Sequence, residues 1–303
     1  GDSLFYDTYE MNIETSVIQN NSGPKLLLYK GTAADFTMNY CNVEGNTFDG
    51  GFADDTSGEY DANANWWGSN DLPSDVAATT WVVEDNGEYT LNTGEALAKD
   101  IPGLTGGDEP GPEPVTYDIY VSPDGDGDGS SYDTPTSLDN AFMYGVPEGG
   151  SIFLLNGTYH SDYSWFIYSS MHLVGESRDG VILDLSQGFA IANYENPSDD
   201  EYTVDSVSFS HMTFENLGSP YVIMVSCNVN ELNITDCFIN TLTENFMGVG
   251  ISIMGEPMQT TGTLNFKKNV VDATGYGTIV VGGNWNVDIN DNLFLESNED
   301  IIK

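Results

Sequence analysis

Leu232-Asn233-Ile234-Thr235-Asp236-Cys237-Phe238-Ile239 holds the pattern on which the fold turns: apolar at a first position i and at i+2, a small or amide residue at i+5, apolar again at i+7. The pattern recurs at Leu264, Phe266, Asn269 and Val271, and at Val287, Ile289, Asn292 and Phe294. A methionine variant stands at Val207, Phe209, Met212 and Phe214. The amino-terminal part has two more copies: Met11, Ile13, Ser16, Ile18, then Phe36, Met38, Cys41, Val43. Successive starts differ by 25 (11 to 36) and by 25, 32 and 23 (207, 232, 264, 287), periods of one solenoid coil rather than a heptad.

The i, i+2 alternation is that of a strand with one face inward. A side chain that points in again at i+5 breaks parity, so the chain must bend just before it. Further short strands are expected at 26–29, 221–225, 249–253 and 278–281. Three short strands per coil, separated by bends, predict an all-β parallel β-helix. At the inward bend, an Asn can bond its equivalent in the next coil and the exposed backbone; Asn269 over Asn292 is such a pair, whereas Cys41 and Cys237 fill the slot without those bonds.

Between the repeat regions the composition changes. Residues 104–116 form a Gly/Pro/acidic linker, and residues 73–103 a capping element in which Asp85-Asn86-Gly87 signals a hairpin between 81–83 and 89–91. The expected domains are therefore the last coils of a first helix (1–72), the cap, the linker, and a second helix (117–303) that is incomplete at its carboxy end. A short cap helix is expected at 138–144. Both ends look cut in mid-coil, as in a piece of a longer secreted protein, and one copy's carboxy end is suited to stack head-to-tail on the next copy's amino end.

Lys and Arg number 7 against 48 Asp and Glu, a net charge of −41. Such a surface repels phosphate backbones and anionic lipid heads, so neither nucleic acid nor a membrane surface is an expected partner. No apolar run is long enough to span a bilayer. With 39% apolar residues the chain nevertheless has a core to fold around. Three cysteines (Cys41, Cys227 and Cys237) without C-x-x-C spacing read as buried thiols.

The run Ile119-Tyr120-Val121-Ser122-Pro123-Asp124-Gly125-Asp126-Gly127-Asp128-Gly129, with Gly149-Gly150-Ser151-Ile152-Phe153-Leu154-Leu155-Asn156-Gly157-Thr158-Tyr159, resembles the opening of a pectin-lyase-like right-handed β-helix. Asn63-Ala64-Asn65-Trp66-Trp67-Gly68 resembles the terminal coil of adhesin-like surface proteins of methanogenic archaea. The resemblance implies two right-handed β-helix segments joined by a linker, an extracellular cell-surface location, and a non-catalytic adhesive or structural role. Its partner would be a surface glycan or another copy of the chain, end to end in a filament.

The alternative is a carbohydrate-active enzyme, a polysaccharide lyase or glycoside hydrolase, since relatives of this fold carry their machinery on the outer face of adjacent coils. Position i+4 stacks His211, Asp236, Lys268 and Asp291, where a lysine base beside carboxylates is conceivable. Flanking aspartates raise a lysine's pKa, the wrong direction for a base, and a ladder of opposite charges explains the column as well. Columns i+1 (Asn12, Thr37, Ser208, Asn233, Asn265, Asp288) and i+3 (Glu14, Asn39, Ser210, Thr235, Lys267, Asn290) hold no paired carboxylates. Asp124, Asp126 and Asp128 open like a calcium loop, but Pro135 stands where the bidentate Glu would be; calcium is the one cofactor suggested. His160 and His172 lack metal spacing. Asn20, Asn156 and Asn233 begin glycosylation sequons, and Trp66, Trp67, Tyr163 and Trp165 are candidates to stack on sugar rings, with core or cap packing as the plainer reading.

Overall fold

The structure is a computed structural model that describes residues 10–19, 22–28, 36–44, 47–53, 58–61, 65, 89–92, 116–144, 146–192, 202–215, 221–241, 247–251, 260–273, 277–281 and 284–295. Among the described residues it is all-β apart from one helix, Leu138–Tyr144, at the expected place. The strands pair in parallel and fall into ladders to which successive passes of the chain each add a rung. The longest ladder runs Ile119–Val121, Gly150–Leu154, Met171–Gly175, Thr203–Glu215, Asn228–Thr241, Thr261–Lys267 and Asn284–Asn290. It continues without a break into Glu10–Glu14, Phe36–Asn39, Gly58–Asp61 and Tyr89–Asn92.

That continuation changes the expected organisation. The two repeat regions are one sheet, with the amino-terminal rungs stacked on the carboxy-terminal ones: Met11 lies opposite Val287 and Ile13 opposite Ile289. A second ladder crosses the same junction, Val17–Gln19 pairing with Leu293–Leu295. The physical reason is that an open rung is an unpaired edge, and strands of matching register from the other region satisfy it. Tyr89–Asn92 takes the next parallel rung on Gly58–Asp61, while its expected hairpin partner, residues 81–83, lies outside the described residues. Its turn, residues 85–87, lies outside the described residues, as does the linker at 104–115.

A further ladder pairs Trp165–Ile167, Phe189–Ile191, Tyr221–Val225, Met247–Ile251 and Gly277–Val281, and Trp165, Ile167, Phe189, Ile191, Ile223 and Val225 of it are buried in the same core. Phe189, Phe209, Phe214, Phe266, Trp285 and Phe294 fill the space between. The helix closes one end, with Leu138 and Ala141 buried and Phe142 stacked 5.9 Å from Trp165.

The bend that breaks parity is a residue in the left-handed region at every i+4: Thr15, Tyr40, His211, Asp236, Lys268 and Asp291 have φ between 47° and 58°. Such a bend turns a main-chain carbonyl and amide away from the regular ladder. The inward residue of the next rung takes them. Asn269 donates Nδ2 to the Ile234 carbonyl at 2.8 Å, and its Oδ1 accepts the Cys237 amide at 2.9 Å. Asn292 does the same for the Phe266 carbonyl and the Asn269 amide, both at 2.8 Å. Asn65 repeats it for Met38 and Cys41, at 2.6 and 2.8 Å. The amides thus bracket the bend below rather than each other's side chains. The cysteines do have contacts in this slot, since Cys237 Sγ lies 3.7 Å from the Phe209 carbonyl and Cys41 Sγ 3.8 Å from that of Ile13.

Candidate functional site

Strand parity places aromatic rings on the surface beside the helix. In Trp165–Ile167 the outer residues point inward and Phe166 points out, 48% exposed. Before the strand, Ser161 holds the turn: its Oγ donates to the Tyr163 carbonyl at 2.8 Å and accepts the Tyr163 amide at 3.2 Å. That turn leaves Tyr163 53% exposed. Phe166 and Tyr168 lie parallel, 5.8 Å apart with planes 11° from each other. Trp165 is buried beneath, with Tyr163 edge-on to it at 6.4 Å.

The helix supplies the opposing wall through Asp139, Phe142 and Met143, and encloses an open cleft of about 590 Å³ against Asp162, Tyr163, Phe166 and Tyr168. Asp139 organises its floor. Its Oδ1 accepts the Trp165 indole N–H at 3.0 Å, and a hydrogen bond from Tyr163 to the same carboxylate pushes the phenol up to about 12. The lining therefore combines broad rings, two carboxylates and polar Ser164 and Gln187, with no cation among the described lining residues. Rings that accept a C–H face, beside groups that accept O–H donors, suit a neutral polyhydroxylated ligand. Tyr163 and Trp165 were legible as candidates, but only Tyr163 offers its ring; Phe166, Tyr168 and Asp139 were missed. Period-two alternation from Trp165 would have put Phe166 outward.

The i+4 column is arranged differently from the cluster sought. His211 and Asp236 are indeed adjacent, with Nδ1 2.7 Å from Oδ2, and Arg178 reaches over from two rungs away to place its Nη1 3.1 Å from Oδ1. Asp236 is buried, 2% exposed, with both oxygens engaged. Lys268 and Asp291 occupy later rungs of the same left-handed column. Charge in this column thus accompanies a backbone requirement. Lys267 of column i+3 pairs with Asp288 of column i+1 at 2.8 Å, and within column i+1 Asn265 donates to Asn233 at 2.8 Å.

In the acidic loop the glycines are the packed residues. A Cβ on Gly125 would sit 2.2 Å from the Thr136 carbonyl oxygen, and one on Gly127 2.4 Å from that of Thr134. The aspartates alternate to the exposed side, and Asp128 Oδ1 accepts from the Ser130 amide, the Ser130 hydroxyl and the Thr134 hydroxyl at 2.7–3.0 Å. Those bonds, the Ser130 hydroxyl foremost, hold the Asp128 carboxyl below its ordinary range. Among the described residues no three of His, Cys, Asp or Glu converge as metal ligands would. His160 pairs with Asp184 at 2.9 Å, and His172 Nδ1 lies 2.8 Å from the Ser208 hydroxyl.

Of the sequons, Asn156 is exposed, Asn233 is half-buried, and Asn20 lies outside the described residues, as do Trp66 and Trp67. No helix among the described residues is long and apolar enough to cross a membrane. No protein family, curated protein or solved structure matches the chain.

Proposed function

We propose that this chain is an extracellular, adhesin-like cell-surface module, a right-handed parallel β-helix that binds a neutral carbohydrate in the cleft between Tyr163, Phe166 and the helix. The cleft carries the reading: exposed rings stand beside the carboxylates of Asp139 and Asp162 where a turn, a strand and the helix meet. The β-helix reading is supported by the parallel ladders to which each pass of the chain adds a rung. With a charge of −41 overall, an anionic sugar would be repelled before it reached the rings. Calcium is proposed at Asp124, Asp126 and Asp128, which are exposed on the acidic loop.

The test is titration of the chain with neutral oligosaccharides, followed by tryptophan and tyrosine fluorescence. Saturable binding, lost in a Tyr163→Ala/Phe166→Ala double variant that unfolds at the parental temperature, is the expected result. Equal signals from parent and variant would sink the site. The second reading, a polysaccharide lyase or glycoside hydrolase, draws on the Arg178–Asp236–His211 group. It requires turnover of a polysaccharide that disappears with Asp236→Asn, measured as release of reducing ends.

A further inference from the structure

Among the described residues the strand Trp165–Ile167 is the outermost rung of its ladder and pairs with Phe189–Ile191 alone. In a parallel pair, alternate residues turn both their N–H and their C=O to one neighbour. Trp165 N donates to the Gly188 carbonyl at 3.2 Å, and the Ile167 carbonyl accepts the Ala192 amide at 3.1 Å. Trp165 and Ile167 are therefore the residues turned towards Phe189–Ile191. Phe166 turns its N–H and C=O to the opposite edge, where no described strand pairs with them. An unpaired edge of this kind is a template for a ligand with matching groups.

That edge lies at the end of the stack closed by the helix, where Phe142 packs on Trp165. Helix and strand border the cleft from two sides, Asp139, Phe142 and Met143 from one and Phe166 and Tyr168 from the other. The side-chain donors around it are largely engaged. The Tyr163 phenol and the Trp165 indole N–H are held by Asp139, and the Ser164 hydroxyl donates to the Gln187 carbonyl at 3.3 Å. The Phe166 N–H adds a donor on the strand, and the Asp139 carboxylate, with room for a further donor, stands on the opposing wall. Met143, 73% exposed, adds an apolar thioether to that wall.

We propose that the cleft selects N-acetylated amino sugars, whose acetamido group bridges the strand edge and the helix. A trans secondary amide points its carbonyl and its N–H in opposite directions. The acetamido carbonyl accepts from the Phe166 N–H, and the acetamido N–H donates to Asp139. The methyl rests against Met143, while a face of the sugar ring lies on Phe166 and Tyr168. A hydroxyl in place of the acetamido group reaches one wall at a time. This inference rests on the reading of the cleft as a sugar site and names the class of sugar.

The test is calorimetric titration of the full chain with chitotetraose and with cellotetraose. These tetramers share their linkage and differ by an acetamido group in place of one hydroxyl on each ring. Chitotetraose is expected to bind at least about tenfold more tightly, the difference made by one additional hydrogen bond. Equal affinities would overturn the acetamido assignment and leave the cleft a sugar site, whereas binding of neither would overturn both. Phe166→Ala and Phe166→Pro then separate ring from main chain. Both remove the ring, but only proline removes the N–H, at an edge position where no rung is broken. The preference should survive in Phe166→Ala and vanish in Phe166→Pro; a folded proline variant that keeps it would sink the proposal. In the parent chain the Phe166 amide proton, followed by NMR, should move downfield with chitotetraose and not with cellotetraose. An amide that stays in place, or moves alike with both, would overturn the assignment even if the proline variant fails to fold.

Discussion

Asn269 shows how much one side chain settles in this molecule. Its amide closes the Ile234 carbonyl and the Cys237 amide, two main-chain groups with no water to turn to. Asn269→Ala leaves both open inside the core, at about 1–3 kcal/mol for each, so a loss of about 2–6 kcal/mol is expected in urea unfolding. Asn265→Ala, one column outward, should cost no more than about 0.5 kcal/mol. Equal losses would show that the bend finds its partners elsewhere. The cysteines give a second test at this scale. Burial pushes the Cys41 and Cys227 thiols from 9.0 up to about 12, and raises Cys237 further still. A thiol kept neutral by the fold adds stability that is complete below pH 9 and fades as pH rises towards 12. Iodoacetamide should leave all three unmodified in the native chain at neutral pH and label all three in urea, as mass spectrometry would read. The i+5 amide was legible because its neighbours repeat. Asn65 belongs to the same series, with Tyr60 at i and Ala62 at i+2, but Ala is too weakly apolar to announce the register.

At the scale of elements, the acidic loop separates what sequence pattern reveals from what it conceals. Alternating Asp and Gly suggested ligands because carboxylates are the chemically conspicuous half. The structure uses the other half, letting Gly125 and Gly127 approach the carbonyls of Thr136 and Thr134 closer than any side chain would permit. Gly125→Ala should therefore lower the unfolding temperature sharply, whereas Asp126→Asn, at an exposed position, should leave it unchanged in calcium-free buffer. The reverse order would return the loop to its carboxylates. The helix at Leu138–Tyr144 was expected as a cap over an open coil end, and the strands that feed the core were legible from their alternation. The cleft was not, because Asp139 and Phe166 lie 27 positions apart (166 − 139) and meet only when the helix folds over the first rungs.

For the whole molecule, local pattern could not predict the order of assembly. Repeats at 11 and 36 and repeats at 207 to 287 announce the same coil, but nothing within a coil says which edge it will choose. The acidic linker between them suggested two bodies, since a break in composition commonly marks a boundary. Edge pairing outweighs that break: the rung at Glu10–Glu14 completes both the hydrogen bonds and the apolar column of Asn284–Asn290. If the stack depends on this contact, the covalent connection is dispensable once the chain has folded. A protease site placed within 104–114 and cut in the native protein should yield two pieces that still co-elute on gel filtration. They should part only in denaturant or on strong dilution, because what joins them is then a bimolecular interface whose occupancy falls with concentration. Immediate separation after cutting would mean that the linker, rather than the rung, holds the amino-terminal coils in place.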